Sequence, residues 1–308
     1  PYAYGPFILN VRSAGESFLE VPPPYPVVTA TGNFSVAELN SIAAAMNFWV
    51  ERVGGNLTPG IIINLAKVAD PGGTAYNHWP DTGRGNPDAY DYIVNGLYYA
   101  PNPTYGFHTG IVFQCDYPSA PTSLLISSQN YTDIMAHEMT HALGMAGGLR
   151  PLNPNVAAWD QTSGVRDPSS AWTSRLYDVM GTKGVNGMVA FNAATPTNRS
   201  GGDFVLPDFN ADPTQPMASH PGQVSFFPTF HGEAVDALTN GKGMPVMGGN
   251  WADYRIDSGN VLGHPALTGT AMSYSLLRNI LFPEVELAAL KDMGYAIDLK
   301  QFFGKSYY

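Results

Sequence analysis

Apolar and polar positions change period several times along the chain, and each change predicts an element. Ser35 and Glu38 form a capping box, and Leu39, Ile42, Ala43, Met46 and Trp49-Val50 follow at helical spacing, predicting a helix that stops at Gly54-Gly55. Ile61 to Val68 is an apolar run bounded by turn residues and reads as a buried strand. Residues 70–89, rich in Gly, Pro and Asp, are expected to be loop, with further strands at Tyr90–Tyr99, Gly110–Gln114 and Ser123–Ser127. A second helix is expected from Thr132 or Asp133 through Ala136, His137, Met139, His141 and Leu143, closed by Gly144 and Gly147-Gly148. Short helices are expected at Glu233–Leu238 and Glu284–Asp292, the latter after Pro283 with Glu284 in its first turn.

These elements group into three stretches. Residues 1–30, Pro- and Tyr-rich, are expected to be an extended segment with Val21-Pro22-Pro23-Pro24 as its spacer. Residues 31–148 hold most of the periodic elements. Residues 149–308 open with a long loop-rich insertion, 149–230, crowded with Pro, Asn, Gly, Ser and Asp. No internal repeat is visible. The expected class is α+β.

Composition narrows the function classes. The 308 residues carry a formal net charge of −10, and only 13% are charged, which argues against nucleic acid or an anionic membrane surface as the main partner. No apolar run approaches the roughly 20 residues needed to span a bilayer. Cys115 is the single cysteine, so neither a disulfide framework nor a cysteine-based zinc site is available. Sparse cysteine, few lysines and a start at Pro1 without leader or initiator Met are expected of a secreted, processed or trimmed chain.

The segment His137-Glu138-Met139-Thr140-His141 carries the chemistry. On a helix, positions i and i+4 share a face one turn apart, so two imidazoles reach one divalent ion. Glu138, rotated aside, is placed as general base for a water acidified by zinc. The plain alternative is two chance histidines on a helix. Its flanks, Ile134-Met135-Ala136 and Ala142-Leu143-Gly144-Met145, are apolar, and a buried His-Glu-His set without a cation carries a large desolvation cost.

A catalytic zinc needs a third protein ligand and one open position. The motif with Gly144 resembles the metzincin peptidases, whose pattern is H-E-x-x-H-x-x-G-x-x-H followed by a Met-turn. Gly147 stands where the compact members have their third histidine. The leishmanolysin-like branch places a long insertion before that histidine, and this sequence is similar: Gly263-His264-Pro265 is followed by Thr270-Ala271-Met272-Ser273-Tyr274, and Glu286 to Tyr295 resembles the closing helix. The resemblance covers roughly residues 34–148 and 225–298. It implies a zincin-like, mixed twisted sheet with an active-site helix, then a largely irregular part bearing a Met-turn. It also implies His137, His141 and His264 as zinc ligands, Glu138 as base, Met272 beneath the metal, Tyr274 near the zinc or steadying an oxyanion, and a protein or peptide substrate. An aromatic core role for Tyr274 stands equally.

Several rivals remain open. His220 or His231 could be the third ligand instead. Glu233-Ala234-Val235-Asp236 resembles the glutamate-bearing helix of thermolysin-like enzymes, and Asp160, Asp167 or Asp178, with Asp178-Val179-Met180-Gly181 as a second Met-turn mimic, would suit an aspartate-ligand zincin. His78 and His108 are expected to be solvent-facing or structural, and Cys115 a small buried hydrophobe. Asp203, Asp208 and Asp212, like Asp81, Asp88 and Asp91, are carboxylates that could take calcium, although no EF-hand spacing is present and solvated loop aspartates explain them as well. The substrate is expected to pair with an edge strand around Gly110–Gln114. A zincin-like adhesin or binding module, without proteolysis, is the competing class.

Overall fold

The computed structural model describes residues 1–19, 28–54, 56–68, 75–78, 86–101, 103, 106–113, 128–145, 170–177, 229–246, 263–265, 267, 270–272 and 284–298. The chain forms two compact units, the first spanning Pro1–Leu143 and the second taking most of the remainder. The protein is α+β, with a mixed sheet.

The first unit is built on five strands: β1 (Tyr2–Tyr4), β2 (Phe7–Val11), β5 (Ile61–Lys67), β6 (Ala75–His78) and β7 (Thr109–Phe113). Their order across the sheet is β1-β2-β5-β7-β6. The inner pairs β2–β5 and β5–β7 are parallel, while β1 and β6 run antiparallel to their neighbours. Inner parallel strands bury both faces and therefore need near-continuous apolar sequence. Ile61-Ile62-Ile63-Asn64-Leu65-Ala66 meets that need, and all but Ile62 are buried. A two-stranded ribbon, β3 (Ser17–Leu19) with β4 (Val28–Thr29), precedes the first helix.

That helix, α1 (Val36–Val53), starts as its capping box dictates: Ser35 Oγ accepts the Glu38 N–H at 3.3 Å, and Glu38 Oε2 accepts the Ser35 N–H. It ends at Gly54 and buries Ile42, Ala45, Met46, Trp49 and Val53, one stripe at helical spacing. Glu38 also holds the Lys67 ammonium at 3.0 and 3.2 Å, which ties the first turn of α1 to the end of β5. Burial alone would raise the Glu38 carboxyl, but hydrogen bonds from Ser35, Lys67 and Tyr131 keep it below the usual range. The stripe of α1 packs on α3 (Ser128–Ala142).

Four expectations are corrected here. The opening residues are not only an extended spacer, since β1 and β2 belong to the main sheet. Tyr90–Tyr99 is not a strand: α2 (Asp88–Val94) occupies it, with Asp88 and Asp91 in its first turn and Ala89 and Tyr90 buried. Aromatic and β-branched side chains suggested a strand, but the backbone bonds close locally, Asp91 N–H to the Pro87 carbonyl and Asn95 N–H to the Asp91 carbonyl, and acids in the first turn favour the helix. The supposed loop 70–89 contains β6. Finally, Thr109–Phe113 lies between β5 and β7's other partner β6, so it is an inner strand and not an edge.

The second unit contains a three-stranded sheet ordered β10 (Met244–Pro245), β9 (Thr229–Phe230) and β8 (Leu176–Tyr177), with Trp172 stacked on Phe230 at 4.5 Å between ring centroids. Two helices follow, α4 (Glu233–Thr239) and α5 (Glu284–Asp292), both where helical spacing predicted them. Asp292 accepts the N–H groups of Ala234 and Val235, each at 2.9 Å, so the end of α5 caps the start of α4. A side chain at Gly232 would collide with that carboxylate. The strand expected at Ser123–Ser127 and nearly all of the 149–230 insertion lie outside the described residues.

Candidate metal centre

The helix α3 begins at Ser128, four residues before its expected start, and carries the His-Glu-His motif in its last two turns. It is fastened to α1 by side chains rather than by apolar contact alone. Trp49 Nε1 donates to the Ala136 carbonyl at 3.0 Å, and Thr132 Oγ1 donates to the Ser41 carbonyl at 3.0 Å. The Thr140 hydroxyl donates to that same Ala136 carbonyl at 2.8 Å. The carbonyl just before the first histidine is thus held from two sides. Tyr131, Ile134, Met135, Met139 and Ala142 are buried, which fixes the rotation of the helix. At its end Gly144 takes φ +105°, a left-handed conformation that L side chains rarely adopt, and the chain turns there as expected from the motif glycine.

His137, His141 and His264 each offer a ring nitrogen, and these atoms all lie within 4.8 Å of one another. His137 and His141 are partly buried, and His264 is 5% exposed. The Nε2 atoms of His137 and His141 are 3.2 Å apart, with ring planes crossing at 86°. Two such nitrogens at that distance share either a proton or a cation. Tetrahedral ligands at the usual zinc–nitrogen length stand about 3.3 Å apart, so this pair already has the separation of two ligands on one ion. Three imidazoles form a donor set suited to zinc and similar transition metals and unsuited to calcium. The residues present therefore fit a metal.

Glu138 is 5% exposed, and burial pushes its carboxyl up to about 8. Ionising it requires a neighbouring cation or strong donors.

Near the third histidine, Pro265 forms a β-bridge with Val246, and Ala271 and Met272 are buried. The Met272 N–H donates to Glu286 Oε1 at 3.2 Å. Glu286 sits in α5 with no exposed surface, and burial raises its carboxyl to about 8 even though the Met272 N–H and the nearby Thr270 favour its charged form.

The rivals are placed differently. His231 Nδ1 pairs with Asp236 at 2.8 Å and its Nε2 with the Thr229 hydroxyl at 3.0 Å, a bracing role at the junction of β9 and α4. Among the described residues the metal-type cluster contains His264 and not His231. His108 accepts the Ile62 N–H through Nδ1 at 2.8 Å and bonds the Tyr99 carbonyl through Nε2 at 2.9 Å, so it braces β5. It is buried, not solvent-facing. Asp88 and Asp91 are likewise buried in α2 instead of solvated in a loop, and Asn95 donates to Asp91 at 2.8 Å. His78 has its backbone in β6, paired with Gly110. Tyr274, His220, Cys115, Asp81, Asp160, Asp167, Asp178, Met180, Asp203, Asp208 and Asp212 lie outside the described residues.

Sequence reasoning did not single out Trp49 as the tie on α3 or Glu286 as a buried acid. Trp49 was legible only as one member of an apolar stripe, and Glu286 only as a polar residue among apolar neighbours. No protein-family model matches the chain, and neither the curated proteins nor the solved structures give a significant match. Among the described residues no helix is long and apolar enough to cross a membrane.

Proposed function

We propose that this chain is a secreted zinc-dependent endopeptidase of the metzincin type, leishmanolysin-like in the long stretch between its metal helix and its third histidine. The supporting observation is the convergence of the ring nitrogens of His137, His141 and His264, with Glu138 buried beside the first of them. These three side chains would hold the zinc, leaving a fourth tetrahedral position open. When bound, zinc supplies Lewis acidity, acidifying a water and polarising a carbonyl oxygen. The Glu138 carboxylate takes the proton of the attacking water and passes it to the departing amine, which completes hydrolysis of the peptide bond. Met272 underlies the metal in this reading, and Tyr274 is assigned to the oxyanion.

The substrate strand has a better host than the one first expected. Among the described strands β6 borders the sheet, antiparallel to β7, and it lies against α3. An extended peptide adding to that edge gains main-chain hydrogen bonds and runs beside the helix that carries Glu138.

The test is Glu138→Gln. Casein hydrolysis is expected to fall by about 10²–10⁴-fold while one zinc per chain is retained. Undiminished hydrolysis in that variant, or hydrolysis by the native chain that a chelator leaves intact, refutes the mechanism. A metal-loaded native chain that digests nothing supports the binding-module class instead.

A further inference from the structure

We infer that Glu286 is a positioning residue for the metal centre: its buried carboxyl holds the turn at Met272 and so fixes the stretch that delivers His264. This rests on the metal reading above. One position of α5 is anomalous. From Val285 to Leu290 every residue is buried, and five of the six are apolar, yet the second is a glutamate with no exposed surface. An acid placed there is destabilising unless its oxygens are used.

One of its oxygens is used by the turn. Oε1 accepts the Met272 N–H at 3.2 Å in a buried environment, while Oε2 is buried without a donor among the described residues. Met272, and with it the turn that follows Thr270, is thereby pinned to a helix. On its other side the same short stretch is pinned at Pro265, through the bridge to Val246. His264 is the residue immediately before that bridge and is itself 5% exposed. The histidine is thus carried by a segment with two anchors, one made by backbone pairing and one made by Glu286. A ligand that comes from an irregular segment, unlike His137 and His141 on α3, has no helix to hold it. Its position depends on such anchors.

The acceptor, not the charge, does the positioning. Glutamine keeps an oxygen at the place of Oε1, leucine keeps the volume without it, and aspartate withdraws it by one methylene. The test uses the full chain loaded with zinc or cobalt, with zinc affinity read by chelator competition and the cobalt visible spectrum read alongside. Folding of each variant is checked by near-ultraviolet circular dichroism. Glu286→Leu is expected to lose about 10–100-fold in zinc affinity, the range usual for supports behind metal ligands, and to shift the cobalt bands. Glu286→Gln is expected to stay within about threefold of the native chain, with unshifted bands. If the leucine variant does not fold, Glu286→Asp carries the test, with about a tenfold loss expected. Native affinity and spectrum in a folded leucine or aspartate variant overturn the inference, as does a glutamine variant as impaired as leucine. A native chain that takes up no metal overturns the metal reading itself, a separate failure seen before any variant is made.

Discussion

Removing the charge of Glu286 gives a sharp test of its burial. An ordinary glutamate carboxyl titrates near 4.5, and burial pushes this one to about 8. Between those values the folded protein keeps a proton that the unfolded chain releases, so stability from this group is fully present below 4.5 and is lost as pH rises toward 8. The slope is about 1.4 kcal/mol per pH unit, which over the whole window amounts to roughly 4–5 kcal/mol. Glu286→Gln resembles the protonated form and removes the slope. Urea unfolding of native and variant chains from pH 5 to 9, in excess chelator, isolates the effect because metal-linked protons are absent. Glu138, raised by burial to about 8 as well, contributes equally to both chains and cancels. The stability difference is expected to be small at pH 5, to grow steadily in favour of the variant, and to level off above pH 8. A difference that stays flat, or that favours the native chain at high pH, refutes the reasoning.

Two further outcomes follow from the geometry. His231→Ala is expected to lose about 1 kcal/mol of stability with the Asp236 and Thr229 bonds, measured by denaturant unfolding, while metal content stays unchanged; loss of the metal reinstates His231 as the third ligand. Gly144→Ala forces a side chain into φ +105° and is expected to cost about 1–3 kcal/mol, with zinc affinity falling as the end of α3 shifts; a variant as stable as the native chain contradicts the assigned turn.

Much of this was legible in the sequence wherever a local rule sufficed. The Ser35–Glu38 box marked the start of α1, the apolar run from Ile61 marked the central strand, and helical spacing marked α5. His137 and His141 were readable as a pair because residues four apart share one face of a helix. What tertiary structure decides was not readable. Asp88 to Val94 has strand-like side chains but forms a helix whose first turn, Asp88 to Asp91, is buried. The edge of the sheet passed from Thr109–Phe113 to Ala75–His78 because strand order depends on pairings that no local pattern encodes. His264 was picked out by its closeness to the Met272 motif, not by any spacing from His141. Glu286 escaped notice because its partner is a backbone N–H fourteen residues away.

The most direct measurement is anomalous scattering at the zinc absorption edge, on crystals of the metal-loaded chain. One peak is expected about 2.0–2.1 Å from a ring nitrogen of each of His137, His141 and His264, with a fourth position left to solvent. A peak lying elsewhere, or none among those three side chains, contradicts the assignment.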